Sequence, residues 1–382
     1  MPLRKCQPAM TDPSSQTKVL VYGPAYLDIV MRVGLPLVAQ GHSPIDKSVD
    51  GTLQHAPDLH QALELVDPSG KRLILTGLDG NRHPTGRLRL SHNLLDHPLL
   101  SMPAIEVTES LGGMGAGYAA ALGGELVSAL SDIRDQPRDR IEQALRMNRV
   151  RHCPILIHGQ ATDWTLIVSS GPHGDKLPVG LRGCHAALRA ADMIQSGPWG
   201  VVVGASLHNA LLAELLAHHA DSLRVLAPAM RNCRDQLMPL GDLAGMADLI
   251  SLNHHEWNEL RPADRQAWLH SDAIICVTQG PKGAHLSWVD PAGNRLTHHE
   301  PLFMRTMPPV DTNRAGEAFA AFLLRELIQQ GWSKRSGPVT QEGLQWAARV
   351  GSAAAGLTVN RPGFGFPSVS ELVSVIKLGQ IS

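Results

Sequence analysis

Aromatic residues are scarce in this chain and make up only 4% of its 382 residues. Proteins that bind single-stranded nucleic acid stack successive bases on aromatic side chains, so this composition argues against that class. The 34 basic and 35 acidic residues nearly cancel, to a net charge of -1. No electrostatic attraction to nucleic acid or to an anionic membrane follows from that balance. We therefore expect neither as a partner.

Cysteine is also sparse, with five residues that form no C-x-x-C pair. This spacing argues against a disulfide framework and a structural zinc site. Residues 1–18 lack the apolar segment of a signal peptide, and no apolar run reaches membrane-spanning length. The 19 histidines include no H-E-x-x-H motif, so we interpret them as solvated or hydrogen-bonded. These features predict a cytoplasmic protein with reduced thiols and a disordered tail over residues 1–17.

Short apolar runs alternate with helical patterns along most of the chain. Helical patterns at residues 186–191 and 209–218 lie between runs that are typical of buried strands. Those runs cover residues 18–23, 155–157, 165–169, 200–204, 223–226, 247–252 and 273–278. Such alternation predicts an α/β fold, with a central, mainly parallel sheet and helices on both of its faces.

The stretch from residue 34 to residue 103 has a different composition, rich in His, Pro, Gly and Asp. Residues 63–66 and 72–76 flank the turn sequence Asp-Pro-Ser-Gly and predict two short strands. Residues 38–60 offer no clear element. We interpret 34–103 as a small β lid or insertion within a single domain that covers residues 18–380.

The C-terminal part is the most regular. Residues 315–330 place Phe319, Phe322 and Leu327 on one face, and Gly331 follows them, as in an amphipathic helix with a glycine stop. Residues 344–359 and 368–377 predict two more helices.

A short motif, Asp311-Thr312-Asn313-Arg314-Ala315-Gly316-Glu317-Ala318-Phe319, leads into the first of these helices. A helix N-terminus presents unpaired backbone N–H groups and the positive end of the helix dipole, which suits a phosphate. A carboxylate in the first helical turn has the chemistry to take a proton from a substrate hydroxyl. In the alternative interpretation, the acidic residues only offset the dipole.

Residues 311–319 resemble the D-T-x-G-A-G-D-x-F signature of the ribokinase/PfkB carbohydrate kinases. Five other segments resemble family features in the same order, so the resemblance covers roughly residues 18–33 and 105–377. They are residues 23–28 (the first strand and its aspartate), Gly112-Gly113 (the sugar-binding turn), 253–256 (N-x-x-E), 277–283 (V-T-x-G-x-x-G) and 353–363 (the segment that closes over adenine). Residues 112–117 are rich in glycine but lack the G-x-G-x-x-G spacing of a dinucleotide-binding motif. A dinucleotide-binding site is therefore a poor interpretation of this segment.

The resemblance implies a role for each matching residue. Glu317 corresponds to the catalytic base, and the backbone N–H groups of residues 315–317 form the anion hole for the γ-phosphoryl group, with Arg314 beside them. Asn253 and Glu256 place Mg²⁺, with Glu256 as the metal residue. The remaining positions divide between ATP binding (Thr278, Gly280 and Gly283) and substrate binding (Asp28, Gly112, Gly113 and Asp311).

Three positions depart from the family pattern. Glu317 replaces an aspartate, which shifts the carboxylate by about 1.5 Å, and a displacement of about 1 Å can lower the rate about 100-fold. Arg314 replaces a glycine, and an arginine strains the backbone of this turn if its φ is positive. Two alternatives follow for its side chain: the guanidinium contacts phosphate, or it blocks the acceptor. Gly117 replaces a sugar-binding asparagine.

Together these features predict ATP-dependent phosphoryl transfer to a hydroxymethyl group of a sugar or nucleoside, with ATP and Mg²⁺ and with a homodimer formed through the lid. The three departures favour an alternative, in which the same scaffold serves a non-catalytic sugar- or nucleotide-binding regulatory protein.

Overall fold

Two β-sheets organise the chain in the computed structural model, which describes residues 17–33, 48–54, 62–66, 72–76, 87–91, 100–170, 175–307, 309–361 and 363–381. The tail predicted for residues 1–17 lies outside the described residues except for residue 17. In spatial order, the strands of the larger sheet are β17 (Arg295–Glu300), β16 (Ala284–Val289), β15 (Ile274–Thr278), β14 (Leu249–Asn253), β13 (Leu223–Ala227), β12 (Val201–Ala205), β1 (Val19–Tyr22), β8 (Glu125–Ser131) and β9 (Arg151–Ile157).

The larger sheet is mainly parallel. Neighbouring strands from β15 to β9 pair in parallel, and only β16 and β17 run antiparallel at one edge. Strands that follow one another in the chain lie side by side from β12 to β17, whereas β1 pairs with both β12 and β8. The strand order therefore reverses at β1, and α/β sheets bind ligands at the carboxyl ends of the strands beside such a reversal.

Helices cover both faces of this sheet. Their bounds are α1 (Met114–Leu122), α2 (Gln136–Met147), α3 (Ala190–Met193), α4 (Asn209–His218), α5 (Met230–Cys233), α6 (His254–Glu259), α7 (Pro262–His270), α8 (Ala315–Gln329), α9 (Gln341–Thr358) and α10 (Val369–Leu378). Three short 3₁₀ turns occupy Cys184–Ala187, Leu240–Met246 and Gly280–Lys282.

The burial of β1 shows why two layers of helices are needed. Successive residues of a strand point to opposite faces of the sheet, and all four residues of β1 are buried. Val19 and Val21 pack in the cluster formed with α1, α2, α8 and α9. Leu20 and Tyr22 pack in the opposite cluster, with α4 and α7. An uninterrupted apolar strand is stable only when both faces are covered, as the apolar runs of the sequence predicted.

The second sheet forms the lid. In spatial order its strands are β11 (Asp175–Leu181), β10 (Trp164–Ser170), β2 (Tyr26–Val33), β7 (Leu100–Gly112), β5 (Arg72–Thr76), β4 (Ala62–Val66), β3 (Ser48–Gln54) and β6 (Arg87–Ser91). It mixes parallel and antiparallel pairs. Residues 34–103 contribute β3 to β6 and the start of β7, while the other strands come from outside that range. The assignment of 34–103 as the lid segment remains a prediction.

Most predicted elements are confirmed. The seven strand segments and the helix at 209–218 are present, and the C-terminal helices agree to within three residues at each end. The two predicted lid strands are β4 and β5, paired antiparallel, although their predicted turn lies outside the described residues.

Two expectations were wrong. Residues 38–60 contain β3, whose sequence SVDGTLQ has only two apolar side chains, Val49 and Leu53, on either side of a central glycine. Strand β3 pairs with β4 and β6, so tertiary pairing overrides weak local propensity. The helix expected at 186–191 is instead a 3₁₀ turn followed by the short α3.

Four of the cysteines lie within the described residues. Cys153, Cys184, Cys233 and Cys276 are free thiols. Within the same ranges, no helix combines the length and the apolar character that crossing a bilayer requires.

Candidate active site

The N-terminus of α8 begins with a non-glycine residue in the left-handed region. Arg314 is the N-cap, with φ 64° and ψ 1°, and its carbonyl accepts the first helical hydrogen bond from the N–H of Ala318 at 2.9 Å. An L-residue in this region is strained, by an amount on the order of 1 kcal/mol. The backbone therefore adopts the conformation that glycine would favour. In this position the N–H groups of residues 315–317 precede the first helical bond and point out of the helix end.

Glu317 lies in the first turn of α8. The residue is partly accessible, but protein surrounds its carboxyl group closely, and this burial raises its pKa. A hydrogen bond from its own backbone N–H and the charge of Arg314 act in the opposite direction. Burial brings the carboxyl group towards the pKa range that suits a general base, and the nearby cation limits that rise.

The Arg314 side chain binds oxygen atoms from three segments. Its Nη2 donates to Gly363 O at 2.6 Å and to Asp311 Oδ2 at 3.3 Å, and its Nη1 donates to Leu111 O at 3.4 Å. The guanidinium also lies over the ring of Phe364, 5.4 Å from its centroid. The side chain is only 8% exposed. Arg314 therefore joins the start of α8 to the end of β7 and to the loop after α9.

The contacts of Arg314 reach both predicted sides of the site. Leu111 is the penultimate residue of the lid strand β7, next to the predicted sugar turn, and the charge of Arg314 opposes the burial that raises the pKa of Asp28 in β2. Gly363, which accepts the shortest of these hydrogen bonds, ends the segment predicted to close over adenine. The predicted nucleotide residues lie at the ends of β14 and β15.

Asp28 occupies the centre of the acceptor side. Burial raises its pKa to about 6, against the opposing effects of Arg314, Arg182 and a hydrogen bond with Thr165. Space for its carboxylate exists because Gly112 has no side chain: a Cβ there would lie 2.0 Å from Asp28 Oδ2. A carboxylate held this closely has a fixed orientation in the fold.

The Gly112-Gly113 turn also requires its second glycine. Gly113 is the N-cap of α1 and has φ 93°, and a Cβ on it would lie 2.4 Å from Pro24 O. Any L-side chain would be strained and would also collide with the backbone that follows β1. The sequence-predicted turn therefore holds α1 tightly against the loop that leads into β2 and Asp28.

On the other side of the helix end, β14 finishes at Asn253 and α6 starts with a reciprocal cap. The backbone N–H of Asn253 donates to Glu256 Oε2 at 2.8 Å, and that of Glu256 donates to Asn253 Oδ1 at 2.9 Å. This capping box fixes both side chains. Burial, with a smaller contribution from the charge of Glu317, raises the pKa of Glu256 to about 7, against the hydrogen bonds from Asn253. Glu256 and Glu317 therefore lie within electrostatic range of each other.

Strand β15 ends beside them at Thr278. Its hydroxyl donates to Leu252 O at 3.4 Å, and a Cβ on Gly316 would lie 3.9 Å from its Oγ1. The loop that follows uses Gly280 at φ 57° and Gly283 at φ 88°. A Cβ on Gly283 would lie 2.1 Å from the carbonyl of residue 300, so this turn accepts only glycine. The loop is thereby held next to the α8 N-terminus.

Asp311 has a structural role in the same loop. Its Oδ1 accepts from the N–H of Asn313 at 2.9 Å, and its Oδ2 accepts from Arg314. Its own N–H donates to Val359 O at 3.0 Å. These bonds shape the turn before α8, so Asp311 holds Arg314 whether or not it also contacts a substrate.

Sequence reasoning missed four residues of this region. Thr165 pairs with Asp28 across β10 and β2, and Arg182 stacks on the ring of Tyr26 at 3.8 Å. Tyr118 is fully buried and hydrogen bonds to Ser251, and the charge of Glu317 contributes to its raised pKa. Phe366 approaches Gly117 in α1. The tyrosine in a Gly/Ala-rich helix was a usable signal, whereas long-range pairing alone brings the others to the site.

The described residues contain no group of three or more His, Cys, Asp or Glu side chains arranged to hold a metal ion. Mg²⁺ keeps several water ligands and is bound through one or two carboxylates together with substrate phosphates. A single oriented carboxylate such as Glu256, next to the helix end, fits that requirement better than it fits a metal held by protein alone.

Comparisons with known proteins agree with this geometry. The model of the family described as pfkB family carbohydrate kinase matches residues 92–371. No curated protein matches the chain.

Solved structures share the fold at low sequence identity. Ribokinase from Giardia lamblia is 16% identical with a TM-score of 0.63, and the match covers 95% of this chain and 99% of that one. A nucleoside kinase of the ribokinase family from Methanocaldococcus jannaschii is 14% identical with a TM-score of 0.64, over 95% and 99% of the two chains. Arabidopsis thaliana ribokinase, complexed with ribose and ATP, is 14% identical with a TM-score of 0.60, over 95% and 99%.

Proposed function

Because the chain belongs to the pfkB family of carbohydrate kinases, we propose that it transfers the γ-phosphoryl group of ATP to a hydroxymethyl group of a sugar or nucleoside. One observation carries this proposal: Glu317 lies between an acceptor side and a nucleotide side. Its charge acts on Asp28 in the lid sheet and on Glu256 after β14. The contacts of the α8 N-terminus, from Arg314 to Leu111 and from Gly316 to Thr278, support an acceptor and a nucleotide at the same helix end.

Glu317 acts as the general base in this proposal. It takes the proton of the acceptor hydroxyl as the oxygen forms its bond to phosphorus and the bond from phosphorus to ADP breaks. Burial raises the pKa of Glu317, which makes it a stronger proton acceptor, while the charge of Arg314 limits that rise. Asp28 orients the acceptor through its hydroxyl groups.

The backbone N–H groups of residues 315–317 stabilise the charge on the transferring group. They precede the first helical hydrogen bond, and donors fixed before the reaction need no reorganisation during it. Thr278 and the glycines of its loop hold the nucleotide beside them. Glu256, oriented by Asn253, would help to hold Mg²⁺ together with the phosphates. The metal, when bound, neutralises charge on the phosphates.

A second candidate function is the binding of a sugar or nucleotide without catalysis. The favouring observation is that the Arg314 guanidinium is held by Leu111, beside the predicted sugar turn, and by Gly363, at the end of the predicted adenine segment, where the family pattern has a glycine without a side chain. Restoring the family residues by Arg314→Gly with Glu317→Asp separates the two candidates. A gain of turnover from none would identify a scaffold that has lost its chemistry.

ATP consumption by the purified protein with Mg²⁺, against a panel of sugars, sugar acids and nucleosides, tests the proposed function. Glu317→Gln removes the base with little change in size, and we expect a loss of about 100- to 10,000-fold in turnover. ATP binding, measured by calorimetry, should remain within a few-fold. Turnover that is unaffected by Glu317→Gln contradicts the role of Glu317, and silence of the wild-type protein across the panel contradicts the kinase.

A further inference from the structure

Thr165 and Asp28 lie side by side on the lid sheet. They are register partners in the parallel strands β10 and β2, so their side chains project from the same face of the sheet. Thr165 is only 6% exposed, and its hydroxyl forms a hydrogen bond with the Asp28 carboxyl group. An ionised carboxylate has only acceptor atoms, so the hydroxyl is the donor in this bond when Asp28 is ionised.

Arg182 donates to the same hydroxyl. Its Nη2 donates to Thr165 Oγ1 at 3.1 Å, and its Nη1 donates to Trp164 O at 2.7 Å. A guanidinium group cannot accept a hydrogen bond, and a hydroxyl carries a single proton. The bond from Arg182 therefore leaves the Thr165 proton for Asp28. The three side chains form a chain of hydrogen bonds with one direction, from Arg182 through Thr165 to Asp28.

Two features of the lid hold Arg182 in this position. Its guanidinium lies over the ring of Tyr26, with Cζ 3.8 Å from the ring centroid. It also lies over Gly180, the register partner of Thr165 in β11, where a Cβ would be 2.6 Å from Arg182 Nη2. A side chain at residue 180 would therefore push the guanidinium away from Thr165. The stacking and the glycine together place the donor at the hydroxyl.

The charged groups that act on Asp28 are Arg314 and Glu317 at the start of α8 and Arg182 just after β11. Burial raises the pKa of Asp28 to about 6; the two guanidinium groups and the Thr165 hydrogen bond oppose this rise, and Glu317 adds to it. Loss of the Thr165 hydroxyl therefore favours the protonated form of Asp28. A protonated carboxyl group no longer presents two acceptor oxygens to a substrate.

We propose that Thr165 and Arg182 are positioning residues for Asp28: the guanidinium fixes the hydroxyl, and the hydroxyl fixes the carboxylate that receives the acceptor. Neither residue touches a reacting atom, since both act through Asp28. The consequence for acceptor binding rests on the proposed function, whereas the consequence for the ionisation of Asp28 does not.

Urea unfolding of the full-length protein at pH 5 and pH 8, without ligand, tests the chain of hydrogen bonds. Thr165→Val removes the hydroxyl with little change in shape and suits a strand. It raises the folded-state pKa of Asp28 further above the unfolded value, so more stability is lost as pH rises through that pKa. We expect the unfolding equilibrium constant to rise about 10-fold more at pH 8 than at pH 5. With Asp28→Asn in both chains, the effect of Thr165→Val should be equal at the two pH values.

Two controls separate this effect from a general loss of packing. Thr165→Ser keeps the hydroxyl and should retain the pH dependence of the wild-type protein. Thr358→Val removes a buried hydroxyl that donates to a neutral group, Ala354 O, at 2.8 Å. Its effect on unfolding should therefore be the same at pH 5 and pH 8.

Arg182→Met tests the first link of the chain. It keeps an unbranched side chain to pack on Tyr26 but removes the donor and the charge. Because part of its effect passes through the Thr165 hydroxyl, the effect at pH 8 should be smaller in the Thr165→Val background than in the wild-type chain. Equal effects in the two backgrounds overturn the role of Arg182.

Kinetics of phosphoryl transfer give the second readout. At pH 8, Thr165→Val should lower kcat/KM for the acceptor about 10-fold and leave KM for ATP within about twofold, because Asp28 lies on the acceptor side. An unchanged kcat/KM in an active kinase overturns the positioning. So does a Thr165→Val effect on unfolding that is equal at both pH values or that keeps its pH dependence with Asp28→Asn. If the wild type shows no turnover but unfolding behaves as expected, the hold on Asp28 stands and the kinase function fails.

Discussion

Arg314→Gly measures how much the Arg314 side chain contributes to the free energy of unfolding, set against the strain of its backbone. Replacement by glycine relieves the left-handed backbone, which contributes about 1 kcal/mol of stabilisation. The same change removes the hydrogen bonds to Gly363, Asp311 and Leu111. Hydrogen bonds to charged groups contribute about 1.5–3 kcal/mol each, although the 3.3 and 3.4 Å contacts are at the weak end. We therefore expect Arg314→Gly to lower the free energy of unfolding by roughly 1–3 kcal/mol.

Arg149 provides the matched control for this prediction. It is the first residue after Asn148, the C-cap of α2, with φ 56°, and its side chain is exposed. Arg149→Gly relieves similar strain and loses no buried contact, so it should raise the free energy of unfolding by about 1 kcal/mol. Opposite shifts of the urea midpoint for the two variants, at an unchanged m-value, are the expected result. If Arg314→Gly is stabilising to the same extent as Arg149→Gly, the contacts of the Arg314 guanidinium contribute nothing and the reasoning is refuted.

Three further predictions concern the two sides of the site. Asp28 is protonated more readily in the folded protein, with a pKa of about 6, than in the unfolded chain, so its contribution lowers stability as pH rises from about 4 to 6. Asp28→Asn should therefore raise the free energy of unfolding by about 1–2 kcal/mol at pH 8 and by about half of that at pH 5; an equal gain at both pH values would falsify the burial argument. Gly112→Ala forces a methyl group onto the Asp28 carboxylate and should lower the free energy of unfolding by at least about 1 kcal/mol. Adding Asp28→Ala in the same chain should partly reverse this loss. If the losses of the two changes simply add in urea unfolding, the contact is contradicted. Glu256→Gln should raise the Mg²⁺ concentration for half-maximal turnover about 10- to 100-fold, and an unchanged value assigns the metal to other groups.

Much of the central fold is encoded in local patterns that the sequence displays. Uninterrupted apolar runs predicted strands such as β1, because a strand buried on both faces needs no polar alternation. The helix from residue 315 was evident from its apolar face and from the glycine that follows it. The motif at residues 311–319 also pointed to a helix N-terminus. These signals need only a few neighbouring residues, so a single sequence is enough to see them.

The lid is the part that local patterns described least well. Strand β3 has only two apolar side chains and a central glycine, and it becomes a strand because β4 and β6 supply its hydrogen-bond partners. Thr165 reaches Asp28 only through the parallel pairing of β10 with β2. Partners so far apart in sequence leave no periodicity that a single sequence could reveal.

The sequence by itself determined which residue types stand at the helix end, and it raised the question of what Arg314 and Glu317 do there. It also showed that a positive φ at Arg314 would be strained. Only the tertiary structure decided that φ is positive, that the guanidinium turns towards Leu111 and Gly363, and that Gly117 lies against the Glu317 side chain. The physical reason is that side-chain direction and free volume depend on atoms brought together by packing, from segments that lie far apart along the chain.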